Sequence, residues 1–166
     1  MIVDRALAER VLSVVDAGLT NGVGSPEPGK MCVEAAVNYA CGLPHGDSPP
    51  CVNPAVRMVK IAMNDGGYWR GSDHRAAGMR RIAIAQLGSS GPEFSEAAFT
   101  AALHVAEEYT RERGLAMCAV GEDTVCCTCF GKAYNGQPET GAKVIEDALR
   151  AAGSPGIALM DELLGS

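Results

Sequence analysis

The chain has 166 residues, 47% apolar and 20% charged, a composition that excludes a wholly disordered protein and makes one helical domain spanning 1–166 the expected organisation. Fourteen basic and twenty acidic residues leave a net charge of −6, which argues against general nucleic-acid binding. No apolar run approaches the roughly 18 residues of a membrane helix, and Met1-Ile2-Val3-Asp4-Arg5 lacks the basic start and apolar run of a secretory signal, so the expected location is the cytoplasm.

The first expected element is a helix over about 2–19, where Leu7, Val11, Val14, Val15 and Leu19 recur at helical spacing. A Gly/Pro loop over 21–29 separates it from a second helix, about 30–41, whose apolar stripe is Val33, Ala36, Val37 and Ala40 and whose stop is Gly42. The Pro/Gly-rich stretch 43–52 excludes a helix or an interior strand. Asn53-Pro54 reads as a cap followed by proline at the first helical position, and the helix it opens runs through Val56, Val59 and Met63 to Asn64.

Ser72 with Asp73 is expected to cap a fourth helix through Met79, Ile82 and Leu87. Ser95 is expected to cap a fifth, with Phe94 and Phe99 as a hydrophobic staple, running on to Gly114. The segment 115–138 has no clear period. Helical spacing returns at Thr140, Gly153 stops it, and Ser154-Pro155 opens a last helix through Ile157, Met160 and Leu164. No strand pair and no long repeat emerges. The expected fold is all-α, a compact irregular bundle of about six or seven helices joined by long Pro/Gly-rich loops.

Charge is unevenly spread along this framework. Residues 57–81 hold six basic against two acidic groups, a local net of +4, between a first segment at −3 and a last at −7. Internal pairing between segments is one consequence. The other is a binding face: Trp69 and Arg70 lead into Arg75, Arg80 and Arg81, a composition typical of hot spots for a protein partner or a small anion.

Seven cysteines, an odd number, argue against a disulfide framework. Cys118, Cys126, Cys127 and Cys129 lie close together, and Cys126 to Cys129 is a C-x-x-C spacing that lets two thiolates reach one zinc ion from a tight turn. A second such pair is missing, so core thiols are the competing reading; His104 is a further candidate ligand. Cys32 stands at the expected start of a helix, where the helix dipole and Lys30 favour the thiolate. Glu34, His45 and Asp47 follow closely enough to supply a base and an orienting group.

Cys32-Val33-Glu34-Ala35-Ala36, followed by Gly42, Asp47, Pro49, Cys51 and Pro54, resembles a pattern in small helical proteins of bacteria and their phages. Arg80-Arg81-Ile82-Ala83 and Ala152-Gly153-Ser154-Pro155-Gly156 resemble the same group. The resemblance implies an accessory, mobile-element origin and no particular activity.

The leading expectation is a small non-enzymatic binding protein, without a cofactor, acting through Trp69, Arg70, Arg75, Arg80 and Arg81 on a protein or an anionic ligand. The alternatives are a cysteine-dependent enzyme using Cys32, His45 and Asp47, and a helical module stabilised by zinc on Cys118, Cys126, Cys127 and Cys129. Abundant Ala and Gly permit close helix packing within a chain or between copies.

Overall fold

The computed structural model describes residues 1–101 and 138–166, and within them the chain is all-α with seven helices. They are α1 (Arg5–Asp16), α2 (Val33–Ala40), α3 (Pro54–Asn64), α4 (Ser72–Ala85), α5 (described over 93–101), α6 (Pro138–Ala151) and α7 (Pro155–Leu164). The zinc candidates Cys118, Cys126, Cys127 and Cys129, and His104 with them, lie outside the described residues. Among the described residues, no helix is long and apolar enough to cross a membrane.

Helix α4 is the hub, packing against α1, α2, α6 and α7. Its second half, Ile82–Ala85, is buried on every side. Helix α2 is enclosed too, between α1, α3 and α4, and of its eight residues only Tyr39 is exposed.

The ends of the helices follow local chemistry. Asp4 accepts from Leu7 N–H at 2.8 Å and starts α1 later than its apolar pattern suggests. The helix ends at Asp16 because Gly18 turns into positive φ (109°), which carries Leu19 into the core from outside the helix. Helix α2 starts at Val33 rather than Lys30: the Cys32 thiol accepts from Ala35 N–H, and Met31 pairs with Gly24 in an isolated bridge. Gly42 terminates α2 in a Schellman turn, with Leu43 N–H donating to Asn38 O and Gly42 N–H to Tyr39 O. Gly153 ends α6 the same way, through Ser154 N–H to Leu149 O and Gly153 N–H to Arg150 O.

Asn53 caps α3 as expected, accepting from Ala55 N–H at 2.8 Å. Its amide nitrogen also donates to Gly91 O and to Ser95 Oγ, joining the start of α3 to the start of α5. That use of Ser95 corrects its expected role. Helix α5 has already begun at 93, so Ser95 is inside it and Phe94 cannot be the outer member of a staple. Phe94 packs in the core instead. Ser72 is likewise the first residue of α4 and not its cap, which is Gly71 at φ 136°. Ser154 holds the cap position of α7 but donates its hydroxyl to Ala85 O at 2.6 Å, a bond to α4 rather than to its own helix.

Candidate functional site

A cleft of about 470 Å³ opens between α4 and α6, lined among others by Trp69, His74, Gly78, Arg81, Lys143 and Glu146. Its size is within the range of small-ligand sites. Trp69 reaches it from the loop between α3 and α4. The indole Nε1–H and the Tyr68 hydroxyl both donate to Met63 O at 2.8 Å, so the last turn of α3 fixes both rings. The Trp69 ring meets His74 edge-on, with centroids 5.4 Å apart. On its other side it lies against the α4 backbone at Gly78, where a Cβ would stand 2.4 Å from the ring. Trp69 is therefore both a half-buried anchor and a wall of the cleft.

The arginines named from sequence serve different neighbours. Arg81 faces the cleft and grips Glu146 with two bonds, Nε at 2.8 Å and Nη2 at 2.9 Å, while Nη1 donates to Gly165 O. Arg80 makes a similar fork on Asp16 of α1. Arg75 donates to Asn64 O and Leu19 O. Arg70 is exposed, and its backbone N–H donates to His74 Nδ1 at 3.2 Å. Trp69 and Arg81 thus share one cleft, and Arg75 and Arg80 are turned away from it. Lys143, on the facing helix, has an exposed ammonium that pairs, among the described residues, with Asp147 one helical turn on.

The forked bonds from Arg81 hold the Glu146 carboxyl below its ordinary value of 4.5. A carboxyl lowered in the folded state contributes stability that is present above its unfolded pKa and lost as the pH falls through its folded one. Glu146→Gln is therefore expected to cost stability at pH 7 and progressively less below pH 4.5, as urea melts across that range would record.

Cys32, His45 and Asp47 each engage a different partner, and no hydrogen bond joins them among the described residues. Cys32 is 3% exposed, its sulfur is occupied as the cap of α2, and burial pushes the thiol above its ordinary range. His45 Nε2 is engaged with Gly24 O at 3.0 Å. Asp47 is held by Arg57, Nη2 to Oδ1 at 2.7 Å, with Arg57 Nε also donating to the Asp47 carbonyl. Among the described residues, no group of three or more His, Cys, Asp or Glu side chains could hold a metal ion.

Sequence reasoning passed over a charge pair in the middle of the protein. Lys60 Nζ of α3 lies 3.0 Å from Glu34 Oε1 of α2, and both side chains are wholly buried. Gln86, after α4, donates its amide to the other Glu34 oxygen at 3.3 Å. Burial pushes Glu34 up and Lys60 down, each opposed by the other's charge. The available signal was a glutamate inside the apolar run Val33–Ala40 and a lysine beside Val59 on an apolar stripe.

No protein-family model, curated protein or solved structure matches the chain.

Proposed function

We propose that the chain is a small non-enzymatic binding protein whose α4–α6 cleft receives an anionic group, carried by a small ligand or a protein partner, against the Trp69 ring. The observation that carries this reading is the meeting of that ring with Arg81 and Lys143 in one opening of ligand size. An indole supplies broad apolar contact, and the Lys143 ammonium supplies charge attraction at its side. Exposed pairs such as Lys143–Asp147 are worth about 0–1 kcal/mol, so Lys143 can exchange its partner for a ligand at little cost. Arg81 is already satisfied by Glu146 and acts chiefly to shape the wall.

The occupied, buried Cys32 favours binding over cysteine chemistry. The odd number of cysteines, seven, supports a reducing compartment, the cytoplasm. The resemblance to phage and bacterial proteins supports an accessory role for a mobile-element product.

Trp69 is the single tryptophan of the chain, so fluorescence excited selectively at tryptophan, beyond the absorption of the four tyrosines, reads this cleft. Titration with aromatic carboxylates and nucleoside phosphates is expected to change the emission saturably. Lys143→Glu is expected to weaken that binding about tenfold, the equivalent of about 1.4 kcal/mol. In parallel, partners recovered from lysate by the wild type should be lost with Trp69→Ala. Unchanged emission with every probe, together with identical recovery by Trp69→Ala, would refute the reading.

A further inference from the structure

Residues 165 and 166 leave α7 and come to the cleft. Gly165 stands at φ 81° and ψ 156°, a region of backbone space that is essentially glycine's alone. Its N–H donates to Asp161 O at 3.0 Å, which ties it to the last turn of α7. Its carbonyl oxygen accepts from Arg81 Nη1 of α4 at 2.8 Å. Ser166, the next residue, lines the cleft together with Trp69, Arg81 and Lys143.

The root of this short strap belongs to one charge network. Arg81 holds Glu146 through Nε and Nη2, and Arg150 reaches the same carboxylate at 3.4 Å. Arg150 in turn grips Asp161 with two bonds of 2.6 and 2.7 Å. Helices α4, α6 and α7 are therefore fixed against one another where the strap departs. The strap itself is exposed, and among the described residues the bond from Arg81 Nη1 is what holds it to the cleft.

The geometry points to a built-in competitor: residues 165 and 166 occupy Arg81 Nη1 at the cleft and are displaced when an anionic group enters, a regulation that rests on the reading of the cleft as an anion site. A carbonyl oxygen carries only a partial negative charge. A carboxylate or phosphate makes the stronger bond to a guanidinium, because both partners are then ionised. The entering anion replaces Gly165 O at Nη1, while Glu146 keeps Nε and Nη2. Arg81 thus turns from wall to ligand contact without losing its carboxylate. The closed strap weakens binding in proportion to the time it is shut.

The test moves the strap and leaves every side chain of the cleft in place. Gly165→Ala has open space for its added carbon but cannot hold φ 81° without strain. Gly165→Pro excludes that angle and removes the N–H that donates to Asp161 O. Trp69 emission, excited beyond tyrosine absorption, is quenched with iodide and with caesium in the full-length wild type and in both variants. Arg81 lies one helical turn from Gly78, against which the Trp69 ring rests, so a released Nη1 gathers anions near that ring. Iodide quenching is expected to rise in both variants, and caesium quenching to rise less. Benzoate and adenosine monophosphate are expected to bind both variants about fivefold more tightly than the wild type, the worth of one hydrogen bond. Stronger iodide quenching with no binding of either probe to any of the three proteins would keep the strap and refute the anion-site reading. Unchanged iodide quenching in both variants would overturn the strap, and so would equal affinity of a bound probe for all three proteins.

Discussion

Lys60→Met is expected to lower the unfolding free energy by about 3–5 kcal/mol at pH 7, the usual cost of stripping one partner from a buried ion pair. The Glu34 carboxylate would stay wholly buried, with the Gln86 amide as its partner among the described residues, on the other oxygen. The double variant Glu34→Gln with Lys60→Met removes both charges and keeps a carbonyl oxygen for Gln86. It is expected to recover most of the loss, since a neutral, well-filled replacement of a buried pair is often no less stable than the pair itself. A pH series separates charge from packing. With Lys60 gone, burial keeps the Glu34 carboxyl above its ordinary value of 4.5, so the folded state binds that proton more tightly than the unfolded chain does. The destabilisation is therefore larger at neutral pH and shrinks as the pH falls toward 4.5, whereas lost packing would cost the same throughout. Urea melts of wild type, both single variants and the double variant at pH 7 and pH 5 provide the comparison. A flat pH response of Lys60→Met would mean that Glu34 carries no charge penalty in the core.

The parts of this fold legible in sequence are those fixed within a few residues. Asn53-Pro54 opens α3 because an amide cap and a proline both act on the first turn alone. Gly42 and Gly153 end their helices because each supplies the positive φ a Schellman turn needs. Serine misleads for a physical reason: its hydroxyl serves any nearby acceptor. Ser154 bonds Ala85 O and Ser95 bonds Asn53, partners 69 and 42 residues away. Charge is illegible on the same ground. Composition shows a basic segment between acidic ones, yet only the packing decides that Arg80 meets Asp16, Arg81 meets Glu146 and Arg57 meets Asp47.

The interior pair was hidden by α2 itself. A stripe of Val33, Ala36, Val37 and Ala40 leaves Glu34 on the opposite side, which for a surface helix would be solvent. Enclosure by α1, α3 and α4 turns that side into core and requires a cation there. The cleft is legible only in part. Trp69 and Arg81 stand out by residue type, while Lys143 and Glu146 come from a helix whose approach to α4 no local pattern encodes.

Gly156→Ala tests how closely α7 is seated on α4. In an open helix this exchange is favourable by about 0.5–1 kcal/mol. Here the added carbon would stand 2.1 Å from Ile84 O and 2.8 Å from Ala85 O, backbone atoms that cannot rotate aside. Gly156 N–H donates to Leu87 O at 2.9 Å and Ser154 Oγ to Ala85 O, so both helix and cap are anchored to that same turn. Relief requires α7 to back away and stretch both bonds, and the expected net cost is about 2–3 kcal/mol. Ala158→Gly, at an exposed position of the same helix, controls for propensity and should cost about 1 kcal/mol. The turn under strain contains Gln86, whose amide holds Glu34, so displacement there also loosens the buried pair. Gly156→Ala and Lys60→Met are accordingly expected to be non-additive in urea melts, although they lie on different helices, α7 and α3. Strict additivity, or a neutral Gly156→Ala, would mean that α7 does not rest directly on the α4 backbone.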